Sequence, residues 1–442
     1  MCSKKNVLML CYYYPPLMDV GCKRSVAFSK YFKKHGWTPY VLSVKNPDRT
    51  YCTLGNDVPP REVHTEYSYS IINVYKFLGK LNGLLARILK LIGIELKENY
   101  FYHIFCIPDI FFGWIPLTTI KGLRLIKEHD IKIIYVSCPP FSAAVIGVLL
   151  KAICKKPLVI DFRDPFAVER LPFSKLPKFK KKMDRCIEKW FLKHTDILIV
   201  VTHELRKRYI TDYPQAKNKI FTIHNGVDIE LISKELPASK YSKFTIIYAG
   251  LYFYSPYEWD VEFFFKALAI LKEKEIVNKN NFQFLFYGSN ENRICQIAIK
   301  FDVDDLVIAN SRISYNDIIH VISKSHLQLL RNRDLVIPSK LYEGISLNVP
   351  FLATIPGGEA KEIINEYSPS SYVIIKQSAE EVSMAISDAI EKYEKGKILD
   401  NRVNEFLEHF SRERLAVKLI DIIEEIMKQY PDTQQPFERS SV

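Results

Sequence analysis

The sequence is poor in the features that staple or anchor a chain. Its nine cysteines, at 2, 11, 22, 52, 106, 138, 154, 186 and 295, are odd in number, scattered and never in C-x-x-C spacing. That argues against a disulfide framework or a zinc site, and for reduced thiols in a cytoplasmic protein. The ten histidines contain no H-x-x-x-H pair, so no metal is expected. Long apolar runs are missing as well: the longest apolar or small stretch, Phe141 to Leu150, stops at Lys151, well short of the ~20 residues a spanning helix needs. The basic start before Val7 to Cys11 imitates a signal peptide. Its apolar part is short, runs into Tyr12-Tyr13-Tyr14-Pro15-Pro16 and lacks a small-residue cleavage site, so it reads as a first strand. No nucleic-acid-binding module is recognisable, and none is expected as a partner.

What is present is an ordinary globular composition. The 442 residues are 48% apolar and 25% charged, enough for large cores in two domains of roughly 200 residues or in about three smaller ones. The net charge is +12, with Lys and Arg concentrated before residue 225. Such an excess argues for an anionic partner, and without a nucleic-acid module, acidic lipid headgroups or a diphosphate are the better candidates.

Periodicity alternates between strand-length apolar runs and helical segments. Val7 to Cys11, a helix from Lys23 to Gly36 and the strand Pro39 to Val44 form a β-loop-α-β unit. Its loop, Leu17-Met18-Asp19-Val20-Gly21, lies at a strand's carboxyl end, where open α/β sheets bind ligands; a lone Gly there is equally a simple turn. Strands at Ile133–Ser137, Pro157–Ile160, Asp196–Val201 and Lys219–Ile223 continue the first array. Asn225-Gly226-Val227-Asp228 is a turn, and the polar stretch Ser233 to Lys243 reads as a linker. A second array follows, with strands at Phe244–Tyr248, Gln283–Tyr287, Val307–Ala309 and Leu327–Leu330. The domains are drawn as 1–232 and 233–412, with a final amphipathic helix over 413–430 and a polar tail, 431–442, expected to be disordered.

Two segments suggest a surface partner. Residues 76–97 place Leu81, Leu84, Leu85, Ile88, Leu89 and Ile92 on one helical face, with Lys80, Arg87 and Lys90 on or beside the other; this is either a helix packed on its own sheet or a membrane-surface element. Residues 173–193 are strongly basic, either a solvated face or a second contact with acidic lipid. Asp302-Val303-Asp304 matches a metal-binding D-x-D pattern but precedes a strand instead of following one, and reads as a surface loop.

The stretch with the most chemistry is Ile337-Pro338-Ser339-Lys340-Leu341-Tyr342-Glu343-Gly344. A hydroxyl, an ammonium and exposed N–H groups at a helix start form a cradle for a diphosphate. Glu343, four residues past Ser339, shares its helix face and suits ribose hydroxyls. A helix start with a solvated Lys is the plainer reading of the octapeptide alone. Arg163 at a strand's end suits an anionic acceptor, with Asp161 or Asp164 orienting an acceptor hydroxyl, unless the pair is a structural ion pair.

Together, Pro108-Asp109 before Trp114, Ser137-Cys138-Pro139-Pro140, Asp161-Phe162-Arg163-Asp164-Pro165, Asn225-Gly226-Val227-Asp228 and Pro338-Ser339-Lys340-Leu341 resemble the GT-B glycosyltransferases, specifically the family-4-like retaining enzymes of polysaccharide and glycolipid assembly. The resemblance implies an α/β fold of two Rossmann-like domains facing across a cleft, with the last helix returning to the first domain. It implies a metal-independent, retaining hexosyltransferase without a cofactor, taking a UDP- or GDP-sugar to a lipid-linked or saccharide acceptor. Gly250, Arg331, Arg333, Pro338, Ser339, Lys340 and Glu343 would bind the donor, Asp161, Arg163 and Asp164 would act at the acceptor, and Asp19 and Gly21 would lie in the acceptor-side loop. The expected place is the cytoplasm, peripheral on the inner face of the membrane.

The sequence departs from the family in three places: Gly21 stands where a Gly-Gly pair is usual, the loop after Gly250 has no cation, and Leu335 replaces the first of two glutamates, with Asp334 one residue off register. A non-catalytic binding subunit is therefore the second reading. A sugar-nucleotide epimerase of the same fold is the third, for which no acid/base carboxylates can be placed.

Overall fold

The computed structural model describes residues 5–17, 20–48, 52–55, 57–71, 74–93, 106–168, 177–232, 239–252, 262–331, 335–376, 378–397 and 401–430. Asp19, Arg333, Asp334, most of the linker stretch and the tail 431–442 lie outside them, as do 94–97 and 173–176. The chain divides into two compact units, Met1–His224 with Leu415–Val442, and Asn225–Arg414.

The first unit contains β1 (Lys5–Cys11), α1 (Val20–Lys34), β2 (Trp37–Val44), β3 (His64–Ser68), α2 (Val74–Leu91), α3 (Ile115–Glu128), β4 (Ile133–Cys138), α4 (Ser142–Cys154), β5 (Leu158–Phe162), α5 (Lys178–His194), β6 (Ile197–Val200), α6 (His203–Asp212) and β7 (Ile220–Thr222). The strands form one parallel sheet in the order β3-β2-β1-β4-β5-β6-β7. Its strands are apolar on both sides because both faces are covered. Val7, Met9 and Cys11 share a core with Phe28, Tyr31 and Phe32 of α1. Val136 and Leu158 point the other way: a Cβ on Gly147 of α4 would come within 2.6 and 2.9 Å of them.

The second unit contains α7 (Ile229–Ile232), β8 (Phe244–Ala249), α8 (Phe263–Glu273), β9 (Phe282–Tyr287), α9 (Glu291–Lys300), β10 (Val307–Asn310), α10 (Tyr315–Lys324), β11 (Leu327–Arg331), α11 (Ser339–Ser346), β12 (Phe351–Thr354), α12 (Glu359–Tyr367), β13 (Tyr372–Ile374), α13 (Ala379–Glu394) and α14 (Val403–Phe410). Its parallel sheet runs β10-β9-β8-β11-β12-β13. The period of two is plain: Ile246, Phe284, Leu329 and Leu352 pack with α8 and α13, while Ile247, Leu285, Leu330 and Ala353 pack with α10, α11, α12 and α14.

The last helix, α15 (Arg412–Met427), groups with the first unit from Leu415 onward. Leu415, Ala416, Leu419, Ile420 and Ile423 enter the β1–α1 core, and Glu424 accepts from Lys5 Nζ (2.6 Å) and Trp37 Nε1 (3.2 Å). The division falls at His224/Asn225, ahead of the break drawn from composition. The physical reason is pairing: Val227 N donates to the Phe410 carbonyl (2.9 Å) and Arg412 N to the Val227 carbonyl (2.8 Å), so Asn225-Gly226-Val227-Asp228 is built into the second unit.

Candidate functional site

Both sheets reverse strand order beside their first strand, between β1 and β4 and between β8 and β11. At such switch points flanking loops diverge and leave room for a ligand at the strands' carboxyl ends.

In the second unit, β8 is followed at once by Gly250 at φ +115, a backbone state that disfavours side chains. Its N–H donates to the Tyr287 carbonyl at 2.7 Å. A Cβ there would stand 3.0 Å from Lys340 Nζ, so the ammonium lies directly against this strand end, 4.2 Å from the centre of the Tyr248 ring. Among the described residues Lys340 has no hydrogen bond or ion pair, and it is half-buried. The ring face offers a cation some stabilisation without neutralising it.

Pro338 takes the N-cap of α11 with no side-chain cap bond, and Ser339 is the first helical residue. The Ser339 hydroxyl is therefore left unbonded among the described residues, beside the N–H groups at the helix start. Arg331, at the end of β11, donates from Nη1 to the Tyr252 carbonyl (2.8 Å) and lies over the Tyr252 ring (4.5 Å). Glu343 is buried, and its Oε1 accepts from the Tyr315 hydroxyl at 3.1 Å. The structure thus brings Gly250, Arg331, Ser339 and Lys340 to the ends of two neighbouring strands, with Pro338 starting the helix and Glu343 one turn on. Leu335, where the family's first Glu would stand, is half-buried.

In the first unit the acids and cations are arranged differently from the sequence-based expectation. Asp161 is fully buried, and its partner is Arg24 rather than Arg163: Arg24 Nε donates to Oδ2 (2.8 Å) and Nη2 to Oδ1 (3.1 Å), and the Tyr135 hydroxyl also donates to Oδ2. Arg24 also donates to the Ile223 and His224 carbonyls. Burial opposes the charge of Arg24, but Asp161 outweighs it and its pKa is raised; burial and Asp161 push the Tyr135 hydroxyl well up. A carboxylate enclosed this way positions a loop and does not reach an acceptor hydroxyl. Asp164, by contrast, is exposed.

Arg163 is almost buried. Its Nε donates to the Cys138 carbonyl (3.2 Å) and its Nη2 to the Pro139 carbonyl, while Nη1 would be 2.2 Å from a Cβ on Gly21. Gly21 therefore has a reason beyond a turn: any side chain would displace this guanidinium from the start of α1.

Some motif residues turn out to be architectural. Asp109 caps α4, accepting from Phe141 N (2.5 Å), Ser142 N (3.1 Å) and Ser142 Oγ (2.5 Å). Asp302 and Asp305 bind Lys272 on the surface, as suits a solvated turn. Sequence reasoning missed Arg24, Tyr135, Tyr248 and Tyr315. Arg24 had a signal: with Phe28 and Tyr31 it falls at i, i+4, i+7 on the buried face of α1. The tyrosines lie among ordinary apolar neighbours and had none.

A switch point in each of two Rossmann-like units is the architecture of the GT-B fold. The family models for Glycosyltransferase Family 4 and Glycosyl transferases group 1 match residues 26–231 and 240–406, and the chain belongs to the GT-B glycosyltransferases. No curated protein matches the sequence. Among solved structures it is similar to sucrose-phosphate synthase from Thermosynechococcus elongatus (TM-score 0.64, 12% identity, 96% of this chain and 100% of that one). A glycosyltransferase from Rickettsia africae matches with TM-score 0.61, 17% identity and coverage of 96% and 99%. Anabaena HepE in complex with UDP-glucose matches with TM-score 0.63, 14% identity and coverage of 95% and 99%.

Proposed function

We propose that this glycosyltransferase moves a sugar, with retention at the anomeric carbon, from a UDP- or GDP-sugar to a lipid-linked or saccharide acceptor in cell-surface polysaccharide or glycolipid biosynthesis. The observation that carries the reading is the Lys340 ammonium, uncompensated among the described residues and set against Gly250 at the start of α11. An uncompensated, half-buried cation is costly unless an anion arrives, and a diphosphate is the anion this family's substrates carry. That HepE was solved with UDP and glucose supports the same class of donor.

In this reading Lys340, Arg331, the Ser339 hydroxyl and the N–H groups of α11 stabilise charge building on the departing diphosphate. Glu343, steadied by Tyr315, accepts from the ribose. The bond between the anomeric carbon and the diphosphate oxygen breaks with its electron pair going to the diphosphate. The acceptor oxygen bonds to the same face of that carbon, and its proton passes to the leaving diphosphate. Arg163 with Gly21 holds the acceptor's anionic part, and Asp164 orients its hydroxyl. The proposal needs neither a metal nor a cofactor; transfer that persists in excess EDTA is its expected signature.

The test is donor turnover by Lys340→Ala. Loss of one positioned charge is worth about 3–4 kcal/mol, so kcat/KM should fall roughly 10²- to 10³-fold; a wild-type rate would remove the site. The second reading, a binding subunit without catalysis, draws on Leu335 and on the cation-free loop after Gly250, Tyr252 to Tyr257, of which 253–257 lie outside the described residues. Calorimetry with UDP and GDP separates the two, because a chain that has lost its donor site binds neither. The proposed location is the cytoplasm, at the inner membrane surface, engaged through residues 76–97 and 173–193. No helix among the described residues is long and apolar enough to cross a membrane.

A further inference from the structure

The last two strands of the first sheet lead into two histidines that the proposed reaction does not use. β6 and β7 are parallel neighbours, with Val200 opposite Thr222, so their chains leave the sheet at the same carboxyl edge, side by side. His203 and His224 stand just past that edge. Their rings meet edge to face, with centroids 5.2 Å apart, and a ring nitrogen of one comes within 4.8 Å of a ring nitrogen of the other. The two are remote in sequence, so no H-x-x-x-H spacing announces them; the strand pairing brings them together.

Each ring is placed by its backbone. Thr202 caps α6, its Oγ1 accepting from Leu205 N at 3.1 Å, which makes His203 the first helical residue and leaves its side chain exposed. His224 is only 7% exposed. Ile223 N, just before it, donates to the Val200 carbonyl (3.0 Å), and Arg24 donates to the carbonyls of Ile223 (3.0 Å) and His224 (2.5 Å). Arg24 is itself held by Asp161, so the group that anchors His224 brings no net positive charge with it. One imidazole is thus enclosed on a pinned backbone, and the other stands in solvent where its ring can turn.

We propose that His203 and His224 form a site for one divalent transition-metal ion, of the copper, nickel and zinc kind, with water completing its coordination. Imidazole nitrogens suit these ions, whereas Mg²⁺ and Ca²⁺ demand oxygen ligands. Metal–nitrogen bonds of about 2.0–2.1 Å let one ion join nitrogens up to about 4 Å apart, a gap that a small turn of the His203 ring closes. A plain ring contact would also hold the two side chains together, but it predicts no response to metal. The inference goes beyond the transfer reaction proposed above and leaves it untouched: its readout is the metal alone, without donor or acceptor, so the two can fail separately.

The experiment titrates the full chain, stripped with EDTA and desalted, with nickel, zinc or magnesium chloride in a calorimeter. A Cys186→Ser/Cys295→Ser background takes the exposed thiols out of competition. One Ni²⁺ or Zn²⁺ should bind per chain, and Mg²⁺ should not. His203→Ala and His224→Gln should each weaken Ni²⁺ by at least about tenfold, whereas His320→Ala, exposed on α10, should leave it unchanged. Electron paramagnetic resonance of bound Cu²⁺ reads the ligands directly, with nitrogen coupling from two imidazoles in the parent chain and from one in either variant. His203 lies at the surface, so its variant keeps the test decisive even if His224→Gln unfolds. No binding of Ni²⁺ or Zn²⁺, equal binding of Mg²⁺, or parental affinity in His203→Ala would overturn the proposal, as would copper spectra that neither variant changes.

Discussion

The two units place cations at the same topological position and treat them in opposite ways. In the first, Arg24 and Asp161 neutralise each other within the protein. In the second, Lys340 is set against a ring face and a glycine, with no hydrogen bond or ion pair among the described residues. The first arrangement spends charge on rigidity, because a buried pair stripped of one partner is strongly unfavourable. The second keeps charge available, which stabilises nothing until an anion binds. Equal fold therefore does not mean equal use of the switch point.

Breaking the first arrangement should have the largest effect. Asp161→Ala leaves the Arg24 charge buried without its partner and should cost about 3–5 kcal/mol, lowering Tm by roughly 10 °C. UDP binding by the folded fraction should be unchanged. Replacing both residues with apolar ones should cost less than either single change; additive losses in a denaturant titration would contradict a coupled pair. Lys340→Ala should show the converse, lost turnover with an unmoved Tm.

A pH titration sharpens the contrast within the second unit. His326 accepts from Thr245 N through Nδ1 (2.9 Å), stacks on Phe244 and is pushed down to about 4 by burial and by Lys240. The folded state holds this imidazole neutral while the unfolded chain protonates it near 6.5, so stability is complete above pH 6.5 and falls as pH drops towards 4. The loss approaches ~3 kcal/mol for this one proton. Denaturation between pH 7 and 4 measures it, and a His326→Phe variant should show a flatter slope. The smallest effect expected is from Tyr315→Phe. Removing the hydroxyl that steadies Glu343 should weaken UDP by about fivefold, equivalent to roughly 1 kcal/mol. Calorimetry with a 2′,3′-dideoxy UDP should show no such change; equal weakening of both would make Tyr315 a purely structural residue.

Much of this architecture is legible in the sequence because buried parallel strands leave continuous apolar runs: Val7–Cys11, Ile133–Ser137 and Phe244–Tyr248 lie on the strands found. What is not legible sits at the edges. β3, His-Thr-Glu-Tyr-Ser, is polar, and β13 is three residues long, so neither has an apolar period to detect. At the site, the Pro338–Glu343 stretch was visible because it is local, a few consecutive residues on one helix start. The partnership of Arg24 with Asp161 spans most of the first unit, and only the fold brings those residues together. For the same reason the Asp161–Arg163 neighbourhood in sequence suggests a pair that the fold does not make: Asp161 is taken by Arg24 of α1, and Arg163, past the end of β5, donates to the Cys138 and Pro139 carbonyls.

The docking of α15 into the β1–α1 core has a consequence for synthesis on the ribosome. Residues 225–414 form an uninterrupted stretch that can complete its own packing as it emerges. The earlier-made unit must wait, with Trp37 and its neighbours uncovered, until a helix encoded some two hundred residues later arrives. Translation order and order of maturation are thereby inverted, and a nascent chain stalled before Leu415 would offer chaperones its oldest portion, not its newest.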